Sequence, residues 1–289
     1  MQDNSTQQIR FIRKRDVLLL GRRLPCSTLI HKGHNIVYNY LTTPPMTVAF
    51  SVYALGATDR LMAVLSFLKE AKLKTIVFVD GYNLYYGLLR RSSYKWLDLY
   101  TLFQNQVLQN AEVLEIRYYT APVLARMSDD TESPKRQRTY LQALRKHHPQ
   151  KVTIIEGKMI AATPFSRLVE PLTNAPDVTK VQVYSFEEKQ SDVNIAVDMV
   201  ISALTNACEQ IVLCSNDSDL KTAVMRIKQY APHIRLGLVV PIKSTDSRAI
   251  SKDLNQYADW SKVLSTLHLS KAQLPEKIHS TAIKKPDTW

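Results

Sequence analysis

The chain has 289 residues, 45% of them hydrophobic, and a formal net charge of +12 at pH 7. This length and composition support a buried core and exclude a disordered or fibrous protein. None of the seven glycines forms a G-x-G-x-x-G or G-x-x-x-x-G-K-S/T arrangement, which excludes a dinucleotide fingerprint and a P-loop. Three cysteines without a C-x-x-C pair exclude a disulfide framework. The most apolar stretch, residues 46–57, is about half the length that crosses a bilayer, so we expect a soluble, cytoplasmic protein with no membrane partner.

The positive charge is unevenly distributed along the chain. Residues 1–72 hold ten Lys and Arg against four Asp and Glu, so half of the net charge lies in the first quarter. The later part is mildly basic, which is compatible with nucleic-acid binding but does not require it.

Residues 1–72 form a basic N-terminal extension whose apolar clusters follow neither the helical nor the strand period. We expect this segment to be poorly structured. Lys69-Glu70 can be encoded as AAGGAG, a ribosome-binding sequence, just before Leu73, and a TTG leucine codon is a permitted bacterial start. Two interpretations stay open: translation begins at Leu73 and residues 1–72 are upstream DNA read in frame, or they are an ordinary extension.

From Lys74 onward, apolar runs alternate with segments of helical spacing. Buried strands are predicted at 75–79, 113–120, 152–156, 210–214 and 235–240, and an exposed hairpin or edge strand at 178–186. Helices are predicted at 82–91, 96–107, 133–147, 192–204 and 219–230, with Ser133 as N-cap before Pro134 in the third. This alternation predicts an α/β fold with a mostly parallel sheet covered on both faces. We expect the domain to span residues 73–270, followed by a polar C-terminal tail, 271–289.

Several aspartates stand at the ends of predicted strands or at the start of a helix. Asp80 follows the first buried strand, Asp217 and Asp219 follow the fourth, and Asp192 opens a helix on which Asp198 lies further along. Because ligands gather at the carboxyl ends of parallel strands, the first four can converge there. Converging carboxylates repel one another unless a cation joins them, and oxygen ligands select Mg²⁺ or Mn²⁺. Each residue alone also has a structural interpretation as a turn former or N-cap.

Two further features bear on nucleic-acid binding. Asn83, beside the first strand end, could orient Asp80 or hold a metal-bound water, and tyrosines on the same helix could either stack on bases or pack in the core. The basic helix at 133–147 carries Arg136, Arg138 and Arg145. It could follow an RNA backbone, or it could be a solvated face.

Three motifs in this order resemble the NYN domain family of PIN-like proteins: Phe78-Val-Asp-Gly-Tyr-Asn-Leu-Tyr-Tyr-Gly87, Glu188-Lys-Gln-Ser-Asp-Val-Asn-Ile-Ala-Val-Asp198 and Ser215-Asn-Asp-Ser-Asp219. The resemblance covers about residues 74–242. It implies a three-layer α/β/α PIN-like fold and a divalent-metal site. The positions that match the site are Asp80, Asp192, Asp217 and Asp219, with Asn83 and Asp198 as supporting residues. The family's frequent Lys-Gly-x-Asp is here Lys189-Gln-Ser-Asp192.

The opening motif, with Lys95-Trp96-Leu-Asp-Leu99 behind it, also resembles a subgroup of this family whose named member is a 6-hydroxy-3-succinoylpyridine hydroxylase. That resemblance implies an NADH-dependent monooxygenase of bacterial nicotine breakdown. The sequence contains no flavin or nicotinamide fingerprint, no haem cysteine and no 2-His-1-carboxylate motif, although hydroxylation with O₂ normally needs one of them.

Three functions therefore stay open. The first is a ribonuclease that uses Mg²⁺ or Mn²⁺ held by the four aspartates to hydrolyse RNA phosphodiesters. The second is an NADH-dependent hydroxylase of a small pyridine, with an NADH site that the sequence does not identify. The third is a non-catalytic RNA-binding module with structural carboxylates, which the intact set of carboxylates argues against.

Overall fold

The computed structural model describes residues 72–127, 130–243 and 249–289, and the backbone of four strands within residues 10–51. The chain divides into two compact units, Met1–Ala71 and Lys72–Trp289. The first contains the antiparallel strands β1 (Arg10–Leu19), β2 (Arg22–His31), β3 (Ile36–Thr43) and β4 (Met46–Ser51), in that order across the sheet. The sequence pattern does not predict these strands.

The second unit is built on a six-stranded sheet whose neighbouring strands are all parallel. Its strands are β5 (Leu73–Asp80), β6 (Ala111–Thr120), β7 (Val152–Glu156), β12 (Gln210–Cys214), β13 (Arg235–Val240) and β14 (Trp260–Val263). Their order across the sheet is β14-β13-β12-β5-β6-β7. The predicted α/β class with a mostly parallel sheet is confirmed. The edge strand β14 was not predicted, because it is only four residues long.

In the described part of the second unit, four short strands lie outside this sheet. They are β8 (Lys158–Ala162), β9 (Phe165–Arg167), β10 (Lys180–Gln182) and β11 (Ser185–Lys189). Strand β8 pairs antiparallel with β11, and β9 pairs antiparallel with β10. The region predicted as an exposed hairpin or edge strand, 178–186, therefore contains two strands, β10 and the start of β11, and each pairs antiparallel with an earlier strand. Strand β11 ends just before the helix that carries Asp192.

In the described residues of the second unit, helices lie between consecutive parallel strands and after the last one. They are α1 (Gly81–Leu84, continued as a π-helical turn at Tyr85–Leu89), α2 (Leu99–Thr101, continued likewise at Leu102–Val107), α3 (Ser133–His147), α4 (Ser191–Leu204), α5 (Lys221–Tyr230), α6 (Lys252–Asn255) and α7 (Thr266–Ser270). Short 3₁₀ turns lie at Ala125–Met127 and Ser218–Leu220. None of the helices among the described residues has the length and apolar character needed to cross a membrane.

One predicted helix start and one predicted N-cap are wrong. The second helix begins at Leu99 rather than at residue 96, because Asp98 is its N-cap and accepts the N–H of Thr101. Ser133 is the first residue of α3, and Glu132 occupies the N-cap position. The Ser133 hydroxyl accepts from the guanidinium of Arg136 instead of capping the helix.

The core lies on both faces of the sheet, which gives the three layers. Strand β5 alternates between them: Val77 and Val79 belong to one buried cluster, while Ile76 and Phe78 belong to the other. Helices α2 and α3 cover the first face, and α4 and α5 cover the second. The C-terminal segment 271–289, polar in composition, also packs on the first face through three buried side chains, Ala272, Leu274 and Ile278.

Candidate metal centre

The carboxyl ends of the central strands bring three aspartates together. Asp80 is the last residue of β5, Asp217 follows the adjacent parallel strand β12, and Asp192 is the second residue of α4. One carboxylate oxygen from each lies within 4.8 Å of the others. Three of the four aspartates predicted to converge therefore do so in a group that could hold a divalent cation.

Asp80 is the buried member of this group, with 6% of its surface exposed. Its Oδ1 accepts the N–H of Asn83 at 2.9 Å, and its Oδ2 accepts the hydroxyl of Ser215 at 2.9 Å. Burial raises the pKa of Asp80 to about 6, the two hydrogen bonds oppose that rise, and the charges of Asp192 and Asp217 add to it. The site therefore holds a carboxylate whose negative charge is under-compensated by the protein.

The other two aspartates are more open to solvent. Asp192 is exposed, and its pKa is raised by partial burial and by the charges of Asp217 and Asp219. Asp217 is half-buried; its N–H donates to Ser215 Oγ at 3.0 Å, and its Oδ1 accepts the N–H of Asp219 at 3.0 Å. These contacts fix the loop after β12 while leaving carboxylate oxygens available to a ligand.

Close packing brings α1 to the site. Gly81 begins this helix directly after Asp80, and a Cβ there would lie 2.5 Å from the carbonyl oxygen of Tyr119. Any larger residue would push the helix away from β6. The side chain of Asn83 then accepts the N–H of Asn216 at 3.0 Å, which ties α1 to the loop that carries Asp217.

The structure separates the remaining predicted residues from this group. The side chain of Asp219 is exposed and is not among the three that converge, although its charge acts on Asp192. Asp198 accepts the hydroxyl of Tyr119 at 2.8 Å and so connects α4 to β6. Asn83 and Asp198 therefore have positioning contacts in the structure, and a role for Asp219 in catalysis stays a prediction.

Sequence reasoning missed two residues beside the site. Glu188, at the end of β11, is half-buried; burial and the charges of Asp80 and Asp192 raise its pKa to about 7, against a hydrogen bond from Ser191. Ser215 is fully buried and bridges Asp80 and Asp217. Both lie inside the quoted motifs, at their first positions, which was the available signal.

Comparison with known proteins decides the family. The NYN domain profile matches residues 74–261. This chain belongs to the NYN domain family. The predicted membership is confirmed. The NYN domain that carries the acidic group belongs to a PIN-like nuclease family.

Two individual proteins are similar to this NYN protein. The 6-hydroxy-3-succinoylpyridine 3-monooxygenase HspA of Pseudomonas putida (strain DSM 28022 / S16) is 32% identical over 242 residues, and the match covers 77% of each chain. A crystal structure of a protein of unknown function from Vibrio parahaemolyticus superposes with a TM-score of 0.42 at 21% identity, covering 70% of this chain and 97% of that one.

A second group of potential ligands lies elsewhere in the NYN domain, formed by Asp98, His147 and His148. The Asp98 carboxylate contacts Nε2 of His148 at 2.9 Å and accepts both the N–H and the hydroxyl of Thr101. These hydrogen bonds, with that from His148 first, lower the pKa of Asp98 against the effect of burial. The group thus caps α2 and joins it to the end of α3.

The three arginines of the basic helix α3 that were predicted to bind RNA differ in their exposure and in their ion pairs. Arg136 pairs with Asp130 and is mostly buried, and Arg145 pairs with Glu156 at 2.6 Å. Arg138 is exposed and has no partner within the described parts of the chain. Of the three, Arg138 is the one whose charge is fully available to a phosphate.

Proposed function

We propose that this NYN protein is a divalent-metal-dependent ribonuclease that hydrolyses RNA phosphodiester bonds at the Asp80–Asp192–Asp217 group. The observation that carries the proposal is the convergence of three carboxylates at the carboxyl end of a parallel sheet, with oxygen atoms within 4.8 Å of one another. Membership of a PIN-like nuclease family supports the same chemistry.

The donor set fits Mg²⁺ or Mn²⁺. Both ions prefer oxygen ligands, and neither His nor Cys belongs to this group. The raised pKa of Asp80, caused by burial and by two neighbouring carboxylates, is typical of a site whose charge a cation would balance. A cation bound there would supply Lewis-acid charge that activates water and stabilises negative charge on the phosphodiester.

The chain's own residues hold the site in place. Ser215 and Asn83 fix the orientation of Asp80 through its two carboxylate oxygens and the adjoining loop. Burial of Asp80 removes competing water from one side, while the exposed Asp192 and half-buried Asp217 leave the other side open. An RNA strand would approach from this open side, and Arg138 on α3, exposed and without a partner among the described residues, would supply a charge for its backbone elsewhere on the domain.

A second candidate is an NADH-dependent monooxygenase acting on a small pyridine. The observation in its favour is the 32% identity to the protein named 6-hydroxy-3-succinoylpyridine 3-monooxygenase, over 77% of each chain. We rank it second because the nuclease proposal rests on identified residues, the three aspartates. For the monooxygenase, we have assigned no residues to the binding of NADH or to the reaction with oxygen.

One experiment separates the candidates. Purified full-length protein is incubated with labelled single-stranded RNA and Mn²⁺, and in parallel with NADH and 6-hydroxy-3-succinoylpyridine, each with and without EDTA. The proposal expects RNA cleavage that EDTA abolishes and that Asp217→Asn removes, while Asp253→Asn, which changes a half-buried carboxylate paired with Lys221, leaves it intact. Coupled NADH oxidation and product formation without RNA cleavage would favour the monooxygenase, and RNA binding without either reaction would favour a non-catalytic module.

A further inference from the structure

A cavity of about 390 Å³ opens next to the candidate metal centre, between α1, the end of β6, α3 and the C-terminal residues. Gly81 and Tyr82, which follow Asp80 directly, form part of its wall. Its volume lies in the range of small-molecule sites, which is about 300–1,000 Å³. Six aromatic side chains line it: Tyr82, Tyr85, Tyr86, Tyr118, Tyr140 and Trp289.

The aromatic lining has a closed side and an accessible side. Tyr140 is buried and its hydroxyl donates to the carbonyl of Leu97, so its ring forms a fixed wall. Tyr85 and Tyr86 are 37% and 49% exposed, and their rings meet edge to face at 5.3 Å. Because aromatic rings bind other planar rings by offset or edge contacts, the accessible side offers surface to a flat ligand.

The charges of the lining favour an anion. Among the lining side chains, three are cationic, Arg90, Lys95 and Arg136, and one is acidic, Asp130, which pairs with Arg136. Arg90 lies 5.3 Å over the ring of Tyr86. Lys95 is half-buried, and its ammonium has no hydrogen bond or ion pair within the described ranges. An anionic ligand in the cavity would give this ammonium a partner for a charge-assisted hydrogen bond.

We propose that this cavity binds a planar heteroaromatic ring that carries an anionic group. The ring lies against Tyr85 and Tyr86, and the anion lies at Lys95 and Arg90. A nucleotide and a small heteroaromatic acid share this chemistry. Binding here requires neither a metal nor cleavage of a phosphodiester, so the inference stands apart from the proposed ribonuclease activity.

The test measures binding to the full-length protein in EDTA by calorimetry. The probes are uridine 5′-monophosphate and nicotinate, with uridine and inorganic phosphate as probes that have only a ring or only an anion. We expect at least one of the first two to bind at least about tenfold more tightly than uridine and phosphate. Binding of the nucleotide alone identifies a nucleotide site, and binding of nicotinate alone identifies a site for a small acid.

Variants locate the binding in the cavity. Lys95→Gln and Tyr86→Ala are each expected to weaken it at least about tenfold. The matched controls are Lys180→Gln and Tyr230→Ala, which change exposed residues outside the cavity and are expected to have no effect. Thermal melting checks that all four variants fold. Failure of both probes to bind, or equal losses in variants and controls, would overturn the inference. Because Asp217→Asn should abolish cleavage but leave this binding intact, the two proposals fail separately.

Discussion

The hydroxyl of Ser215 donates to Oδ2 of Asp80 at 2.9 Å, and these residues are 135 positions apart in the sequence. The same hydroxyl oxygen accepts the N–H of Asp217 at 3.0 Å. One buried serine thus fixes two of the three aspartates at the candidate metal centre, without itself belonging to the group of carboxylates.

Removing this bridge should weaken metal binding without removing a ligand. Ser215→Ala leaves Asp80 Oδ2 without a donor and frees the Asp217 N–H, so we expect Mn²⁺ affinity to fall about 10- to 100-fold, the range for residues that orient ligands. The Ser215 hydrogen bond lowers the pKa of Asp80, so the variant should also bind Mn²⁺ with a pH dependence shifted upward. Calorimetry over a pH series measures both effects. Ser218→Ala, at an exposed position in the same loop, is the control, and an equal loss in it would contradict the positioning role.

Asp80→Asn should separate activity from stability. The amide keeps the size of the side chain and can still accept the N–H of Asn83, but it removes a buried charge that two carboxylates repel. We expect loss of metal-dependent RNA cleavage together with a gain of about 1–3 kcal/mol in the unfolding free energy of the metal-free protein near pH 7.5. Urea unfolding in EDTA and a cleavage assay in Mn²⁺ check the two parts. Full activity in the variant would remove Asp80 from the site.

The pH dependence of stability follows from the same group. Burial raises the pKa of Asp80 from 3.8 to about 6 and that of Glu188 from 4.5 to about 7. A raised pKa in the folded state means that the folded protein holds protons more tightly than the unfolded chain, so this contribution is complete below about pH 4 and is lost as pH rises through about 6–7. The stability gain of Asp80→Asn in EDTA should therefore be small at about pH 4 and grow up to about pH 7. A gain that does not change with pH would show that folding does not raise the pKa of Asp80.

Local patterns predicted most of the parallel sheet because its strands are continuous apolar runs. β7, β12 and β13 begin and end where those runs do. The C-terminal segment was harder to interpret. Its three buried residues, Ala272, Leu274 and Ile278, are scattered among polar ones, so no periodic pattern marked their packing against the core.

The sequence predicted which aspartates could belong to the candidate site, but it did not predict how they are arranged relative to one another. Asp80, Asp192 and Asp217 stand at strand or helix ends, where the fold class predicts ligands. The difference between Asp217 and Asp219 depends on the conformation of one loop, in which the N–H of Asp219 turns back to Asp217 Oδ1. Spacing in the sequence places both aspartates equally well, so only the structure distinguishes them.

The arginines of α3 should contribute unequally to RNA binding. Arg138 is exposed and unpaired among the described residues, whereas Arg145 is held by Glu156 at 2.6 Å. We expect Arg138→Gln to lower the salt slope of RNA binding by about 0.7, the value for one phosphate contact on a single strand, and Arg145→Gln to lower it by less than half of that. Fluorescence titrations of labelled RNA over a salt series provide the slopes. Identical slopes for wild type and Arg138→Gln would mean that α3 is a solvated face.

The two aspartates after β12 give the sharpest test of the metal centre. Asp217 has a carboxylate oxygen within 4.8 Å of those of Asp80 and Asp192, while the exposed Asp219 acts on this group through its charge on Asp192. We expect Asp217→Asn to lower RNA cleavage at least about a hundredfold and Asp219→Asn to lower it about tenfold or less.

The response to metal concentration makes the comparison decisive. Asp219→Asn keeps its backbone N–H donation to Asp217, so the three carboxylates stay in place and excess Mn²⁺ should restore most of the cleavage. Asp217→Asn replaces a proposed ligand, so raising Mn²⁺ should restore little. Cleavage rates measured across a Mn²⁺ series for both variants check this difference. If the two variants lose equal activity and recover equally in excess Mn²⁺, Asp219 binds the cation as Asp217 does, and the site has four ligands rather than three.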